Sequence, residues 1–473
     1  MGTAESSLTE AHLAKMRAWF DGAPPPTAAA RAYRGLLARY YNLFIPENAR
    51  VLEIGCGGGE LLARLRAQNV TGVDLSPRQI EVAKSRVPHG RFMVQAGEEL
   101  ELSGTFDIII VSDTLNYAAD VQALLHRVQR ISTPETRLIV NFQSNLWRPF
   151  LALGRLLGLG RPAPQSSWLS DGDVCNLLAL ADWAPVRTEN RILLPFRLGG
   201  IEQLANRWLA PVLPWLCLTV FIVARPGLAS RKPRTSTVSV VIPARNEAGN
   251  IRAAVERTPE LGAGTELIFV EGHSRDETWA EIQKIQREFP QRRIKILQQS
   301  GKGKGNAVRE GFAAASGDIL MILDADLTMP PEELPKFFEV IATGHAEFAN
   351  GVRLVYPMDE KAMQFANLCA NKAFGMIFTW LVGQPMKDTL CGTKVLTRAH
   401  YEQIAANRAY FGDFDPFGDF DLLFGAAKLN LKIADVPIRY RERTYGTTNI
   451  QRWRHGWLLL RMVAFAARKL KFI

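Results

Sequence analysis

Two clusters in this chain combine residue types and spacings that can do chemistry. The first is Val51-Leu-Glu53-Ile-Gly55-Cys-Gly57-Gly58-Gly59, an apolar run that ends in a glycine turn. Without a Cβ, such a turn lets the backbone approach a ligand closely. Asp74 closes the next apolar run about 20 residues later, where a carboxylate can accept hydrogen bonds from both ribose hydroxyls. A G-x-G-x-x-G dinucleotide loop needs a small residue at position 60; Glu60 stands there, so NAD is not the expected ligand. The second cluster is a set of acids that follow apolar runs: Glu247 after Val240–Pro243, Glu271 after Leu267–Val270, and Asp324-Ala-Asp326 after Ile319–Leu323. Carboxylates two residues apart suit a hard divalent cation, Mg2+ or Mn2+, that keeps waters and bridges substrate phosphates. Such an ion neutralises a departing diphosphate.

Strand ends must position both clusters. Strands are expected at Arg50–Ile54, Val70–Asp74, Phe106–Val111, Arg137–Phe142 and Trp215–Val223, with a helix over Glu60–Gln68. A second alternation of strands and helices begins at Val238–Pro243 and continues through Glu266–Val270, Ile294–Gln298 and Ile319–Asp324. Alternation of this kind predicts a mostly parallel sheet with helices on both faces. The fold class is therefore α/β, two tandem doubly wound domains. Pro226–Thr237 (PGLASRKPRTST) has no periodicity and reads as the linker. The expected organisation is an extension at 1–39, a first domain at 40–225, the linker at 226–237, a second domain at 238–450 and a basic C-terminal helix at 451–473.

The first domain resembles the class I S-adenosylmethionine-dependent methyltransferases, which have a Rossmann-like fold. Glu53, Gly55, Gly57 and Gly59 match the first motif and Asp74 the ribose-binding acid. Ala96-Gly97-Glu98 occupies the place of the adenine contact, and Phe106–Asp113, including Ser112, matches the fourth strand beside the methyl donor. The resemblance implies S-adenosylmethionine as cofactor. Asp113 or Tyr117 could face the acceptor, and the insertion Leu146–Trp183 reads as the acceptor lid.

The second domain resembles glycosyltransferase family 2, with the GT-A nucleotide-diphospho-sugar transferase fold. The subgroup is that of the dolichyl- or polyprenyl-phosphate mannosyltransferase-like enzymes. Pro243, Arg245, Asn246 and Glu247 match its first motif. Val270–Asp276 corresponds to V-D-D-G-S-x-D, with Gly272 in place of the second acid, which leaves Glu271 as the candidate for base recognition. Gly301–Ala307 matches the K-G-x-A loop, read here with Lys302 at a phosphate. Asp388–Gly392 matches the acceptor-side D-x-x-x-G, and Asp419 and Asp421 sit where the catalytic base lies. The resemblance implies metal held by Asp324 and Asp326, with Asp324 also at the nucleotide, and a lipid-phosphate or glycan acceptor.

Arg454, Arg461 and Arg468 recur every seven residues among tryptophans and leucines, nearly two helical turns apart. A basic amphipathic helix of this kind reads as an anchor on an anionic membrane surface, with a helix packed on the domain as the alternative. The net charge is +10, from 57 basic and 47 acidic residues. Eleven of those basic residues fall in the acid-free stretches 225–237 and 443–473, and the remaining 46 balance the 47 acids. That distribution disfavours a nucleic-acid face. Five scattered cysteines without C-x-x-C spacing point to a reducing compartment. No export signal is read in residues 1–30, so the expected location is the cytoplasm, peripheral at the cytoplasmic membrane face. The leading expectation is a bifunctional enzyme in cell-surface glycan or glycolipid biosynthesis. The alternative is a glycosyltransferase with a non-catalytic methyltransferase-like domain.

Overall fold

The computed structural model describes residues 2–156, 169–196, 198–227, 235–353, 365–410, 420–441, 443, 445 and 452–473. The chain forms two compact units, Met1–Ser230 together with Lys471–Ile473, and Arg231–Leu470.

The first unit holds seven strands: β1 (Arg50–Ile54), β2 (Asn69–Asp74), β3 (Arg91–Val94), β4 (Phe106–Ser112), β5 (Ser132–Gln143), β6 (Trp183–Arg191) and β7 (Thr219–Pro226). Their order is β3-β2-β1-β4-β5-β7-β6. Strands β1 to β5 pair in parallel, and β7 runs antiparallel to both β5 and β6. Strand order reverses at β1, between β2 and β4. Ile54 pairs with Val73 and with Val111, so Gly55, Asp74 and Ser112 share one sheet edge. Ligands of open α/β sheets bind at such a switch point. Leu52, Ile54, Val73, Ile109, Val111, Leu138 and Val140 are buried. Strands covered on both faces read as continuous apolar runs, which is why the sequence shows them.

The expected helix over Glu60–Gln68 is instead a single 3-10 turn, Leu62–Arg64, with irregular backbone around it. The expected strand from Trp215 begins at Thr219, because Pro214–Leu216 forms a 3-10 turn.

The second unit holds β8 (Val238–Ala244), β9 (Thr265–Glu271), β10 (Arg293–Gln298), β11 (Ile319–Ile322), β12 (Phe348–Val352), β13 (Lys394–Thr397) and β14 (Ile433–Pro437). The order is β10-β9-β8-β11-β13-β12-β14, with β13 antiparallel to both neighbours and the other pairs parallel. Ala244 pairs with Glu271 and Val241 with Ile322, which aligns the carboxyl ends of β8, β9 and β11. Strand β11 stops at Ile322, so Asp324 and Asp326 lie in the loop beyond it.

The C-terminal helix spans Arg452–Leu470. Leu459, Met462, Ala466 and Leu470 are buried along one face, while Trp457 and Leu460 are exposed. One face of this helix is therefore packed against protein. Among the described residues no helix is long and apolar enough to cross a membrane.

Candidate active sites

In the first unit Gly55, Gly57 and Gly59 all take positive φ, at 72°, 50° and 71°. A Cβ on Gly55 would lie 2.3 Å from Thr114 Oγ1, whereas one on Gly57 would meet nothing within 4 Å. The backbone of Gly57 thus faces open space, as a ligand cradle requires. Asp74 fastens this loop: the amides of Gly57 and Ser76 donate to its two oxygens at 2.8 and 2.9 Å. Each oxygen retains a lone pair for a further donor.

Glu53 is buried behind the loop, and its Oε2 has no hydrogen-bond partner among the described residues. Burial pushes its carboxyl up to about 8, against the pull of Arg34. An orphaned buried carboxyl oxygen beside an open glycine backbone fits a ligand that brings hydrogen-bonding groups. Glu98 accepts from the Ala119 amide at 2.7 Å, and Ser112 Oγ accepts from Arg34 at 3.1 Å.

The N-terminal helix Ala28–Phe44 completes the site, and the sequence reading missed it. Tyr33 donates to Asp113 at 3.4 Å, Arg34 pairs with Asp113 at 3.6 Å, and Tyr41 donates to Asn141 Oδ1 at 2.6 Å. Asn141 in turn donates to Asp113 at 2.9 Å. Asp113 sits just past β4 with φ 51°. Burial raises its carboxyl, and Arg34 opposes that rise. Of the two acceptor-side candidates, Asp113 lies in this polar cluster. Tyr117 instead packs edge-on against Phe20, and its carbonyl contacts His12 Nε2 at 2.9 Å. The available signal was the seven-residue repeat of Tyr33-Arg34 and Tyr40-Tyr41, which puts polar tips on one helix face.

In the second unit three loops meet at the aligned sheet edge. Glu247 accepts from Arg443 at 2.9 Å and from Asn250 at 2.8 Å. Arg443 also donates to Asp326 at 2.6 Å, so one guanidinium bridges both acids. Burial raises the Glu247 carboxyl, and Arg443 works against it. The other oxygen of Asp326 accepts from the Thr328 amide and hydroxyl at 3.1 and 2.9 Å. Asp324 pairs with Lys304 at 2.6 Å. Lys302 is exposed, so the loop brings Lys304, not Lys302, to the acids. The signal was present: Lys304-Gly305-Asn306-Ala307 is the stretch spelling K-G-x-A.

Pro243 is the penultimate residue of β8, and Arg245 is exposed just beyond the strand. Asn246, at φ 58°, accepts from the Arg275 amide at 2.8 Å, which ties the first loop to the second. Glu271 is buried and accepts from the Ser274 amide at 2.5 Å.

Asp388 is fully buried and held by Arg353 through bonds of 2.7 and 2.9 Å. Burial raises its carboxyl, but the Arg353 guanidinium outweighs that and holds it below the ordinary range. A carboxylate so engaged anchors backbone and is not placed to take a proton. Its motif partner Gly392 has a steric role: a Cβ there would lie 2.1 Å from Asp324 Oδ2 and 2.2 Å from Lys304 Nζ. Asp421 lies on the helix Phe420–Lys428, paired with Arg408 at 3.2 Å and Arg309 at 3.4 Å. Arg309 and Lys304 stand five residues apart on one helix, roughly 140° around its axis. The described contacts therefore do not bring Asp421 to Asp324. Asp419 lies outside the described residues.

The first strand order, with its antiparallel β7 and a glycine loop at the switch point, is that of a Rossmann-like methyltransferase. The second, with acids ending its parallel strands, is that of a GT-A glycosyltransferase. Residues 28–188 match the family model Methyltransferase domain, and residues 239–404 match Glycosyl transferase family 2. The chain carries both transferase domains.

A dolichol-phosphate mannosyltransferase of Pyrococcus furiosus is 29% identical over 222 residues, 45% of this chain and 59% of that protein. An undecaprenyl-phosphate 4-deoxy-4-formamido-L-arabinose transferase of an Enterobacter species is 35% identical over 213 residues, 44% of this chain and 61% of its own length. The chain spans about six tenths of the length of these relatives. Among solved structures, a SAM-dependent methyltransferase of Thermotoga maritima covers 46% of this chain and 99% of its own, at 18% identity and TM-score 0.34. A glucosyl-3-phosphoglycerate synthase of Mycobacterium tuberculosis covers 50% and 80%, at 20% identity and TM-score 0.35.

Proposed function

We propose that this chain is a bifunctional transferase. It joins S-adenosylmethionine-dependent methyl transfer to inverting glycosyl transfer from a nucleotide sugar onto a lipid-phosphate or glycan acceptor. The observation that carries the reading is the repetition of one arrangement: each sheet presents a polar cradle at its carboxyl edge. In the first it is an open glycine loop with a Glu53 oxygen unpartnered among the described residues, and in the second it is acids paired with Lys304 and Arg443.

In the first unit the donor set fits S-adenosylmethionine, which would lie against Gly55–Gly59 with Asp74 and Glu53 offering oxygens to its donors. When bound, it supplies an electrophilic methyl group on a sulfonium. Gly57 gives backbone contact, Asp74 holds the loop in shape, and Glu98 fixes the turn at Ala119. Asp113, oriented by Arg34, Tyr33 and Asn141, is the group placed to receive a proton from the acceptor.

In the second unit Asp324 and Asp326 fit a divalent cation of the kind that takes one or two carboxylates and fills its shell with water and phosphate. That ion, when bound, supplies Lewis-acid neutralisation of the diphosphate. Lys304 and Arg443 already hold positive charge at the two acids and are the groups placed to meet the diphosphate. Glu271, Pro243 and Arg245 form the nucleotide end. Asp388 positions the acceptor-side loop through Arg353. Asp419 is the proposed base, with Asp421 the substitute assignment.

The relatives named for dolichol phosphate and undecaprenyl phosphate support a lipid-phosphate acceptor. A phosphomonoester has its second pKa near 6 and is mostly ionised at neutral pH, so its oxygen attacks with little help from a base. Incubating the purified chain with a panel of nucleotide sugars, polyprenyl phosphate and methyl-labelled S-adenosylmethionine tests the proposal. It expects sugar in the lipid phase and label in a glycan or lipid product. Absence of sugar transfer from every nucleotide sugar, with or without Mg2+ or Mn2+, would remove it.

A further inference from the structure

The connection between β6 and β7 has inverted polarity. Its helical stretch begins at Ile201–Leu204 and continues as a π-turn over Ala205–Leu209. Two of its polar side chains, Glu202 and Asn206, point inward, while Gln203 and Arg207 are exposed. Glu202 is buried and accepts from the amides of Leu198 and Gly200 at 2.8 and 2.9 Å. Asn206 is 2% exposed; it accepts from the amides of Leu193 and Leu194 at 2.7 and 2.9 Å and donates to the Leu194 carbonyl at 2.7 Å.

Its large apolar side chains point outward. Ile201 is 63% exposed, Leu204 62%, Val212 60% and Trp215 64%, with Trp208 between them at 41%. A neighbouring segment extends this surface: Trp147 donates to the Leu216 carbonyl at 2.8 Å and packs on Phe150, itself exposed. Single exposed apolar residues are ordinary, but a contiguous patch marks an interaction surface.

The charge pattern selects the occupant. Residues 192–218 contain one acid, Glu202, and it is buried under the helix. The exposed charge described there is Arg207, whose guanidinium lies 5.5 Å from the Trp208 ring centroid. Exposed leucine, isoleucine and tryptophan with a basic and no acidic group is the composition of a segment lying in a bilayer interface. The stretch is far too short to span a membrane. The patch also adjoins the acceptor side of the first unit. Strand β7 begins at Thr219, whose hydroxyl lies 3.1 Å from Tyr33 Oη, and Tyr33 donates to Asp113.

We infer that the β6–β7 connection docks the methyltransferase unit on an anionic lipid surface, with its acceptor side toward the bilayer. Trp208 on this surface packs on Phe472, ring centroids 4.9 Å apart, and the inference does not depend on which groups are transferred.

Hydrogen exchange of the full chain, with and without vesicles of equal phosphatidylcholine and phosphatidylglycerol, tests it. Vesicles are expected to slow exchange across 198–216. The full-length double variant Leu204→Glu, Trp215→Glu is expected to bind these vesicles about tenfold more weakly, because interfacial binding scales with the apolar area buried in the bilayer and with attraction to anionic lipid. Its thermal stabilisation by S-adenosylhomocysteine should stay unchanged, which shows that the unit is folded. Three results would overturn the inference: unchanged exchange at 198–216 while vesicles are bound, wild-type vesicle affinity in the double variant, or slowed exchange that follows protein concentration without vesicles. The last would mean that a second copy covers the patch.

Discussion

Glu53 is the residue through which the first site should report itself most clearly. In an unfolded chain its carboxyl titrates near the ordinary 4.5, and burial moves it to about 8 in the fold. Between those values the folded form keeps a proton that the unfolded form has released. Stability of the first unit therefore falls as pH rises, by about 1.4 kcal/mol per pH unit. The contribution is whole below pH 4.5 and lost once pH passes 8. Its full span is about 5 kcal/mol. Glu53→Gln keeps the shape and cannot ionise, so the variant should gain about 2 to 3 kcal/mol on wild type between pH 6 and 8. For a unit of this size that is roughly 5–10 °C in the melting temperature. Scanning calorimetry of the full chain is the assay, because it resolves separate transitions for the two units. The second transition should be unmoved by the substitution. If the first transition of wild type and variant shows parallel pH dependence, Glu53 is ionised in the fold and the reasoning fails.

Further expectations follow from the same geometry. Asp388→Ala leaves the buried Arg353 guanidinium uncompensated and should destabilise the second unit by about 3–5 kcal/mol in denaturant titrations; a loss under about 1 kcal/mol would place the pair at the surface in solution. Lys304→Ala should abolish nucleotide-diphosphate binding by calorimetry while Lys302→Ala leaves it intact, and the reverse result would restore Lys302 to the phosphate. Arg443→Ala removes the cation from Asp326 and should tighten Mn2+ binding in the absence of nucleotide, read by electron paramagnetic resonance, with sugar transfer reduced. Weaker Mn2+ binding would show that Arg443 organises the acids instead of competing for them. Gly55→Ala drives a Cβ into Thr114 at a positive φ and should lower the first melting transition, and an unchanged transition would show that the loop relaxes freely.

The buried parallel strands were legible in the sequence because they are mostly apolar, and the edge strand β10 because isoleucines alternate with polar residues at Ile294-Lys295-Ile296. Strand β1 was read at its observed bounds, and β2, β4, β8, β9 and β10 to within one residue at either end. The strands that were not read break that rule for physical reasons. Strand β3 lies at a sheet edge with its residues half-buried or exposed. Strand β6 carries Pro185, and its inward residues Arg187, Glu189 and Arg191 are charged. They survive burial because Glu189 pairs with both arginines and with Lys471. The Glu189–Lys471 pair joins residues 282 positions apart and leaves no local trace in the sequence. Strand β12 is interrupted by Asn350-Gly351, and β13 has only two apolar residues between Lys394 and Thr397. The acids and glycines of both sites were legible because strand ends announce them. Arg34 and Lys304 left a trace, in the helix repeat and in the K-G-x-A stretch, that the reading passed over; the counter-ion Arg443 left none, because a basic side chain's partner is set by tertiary packing.

The central claim is that one chain carries two separate working cradles. Isothermal titration of the full-length protein with S-adenosylhomocysteine, and then with a nucleotide diphosphate plus Mg2+, tests it most directly. The account predicts one site for each ligand. Asp74→Ala should remove only the first and Asp326→Asn only the second. Binding of either ligand unchanged by its own substitution, or lost through the other, would contradict it.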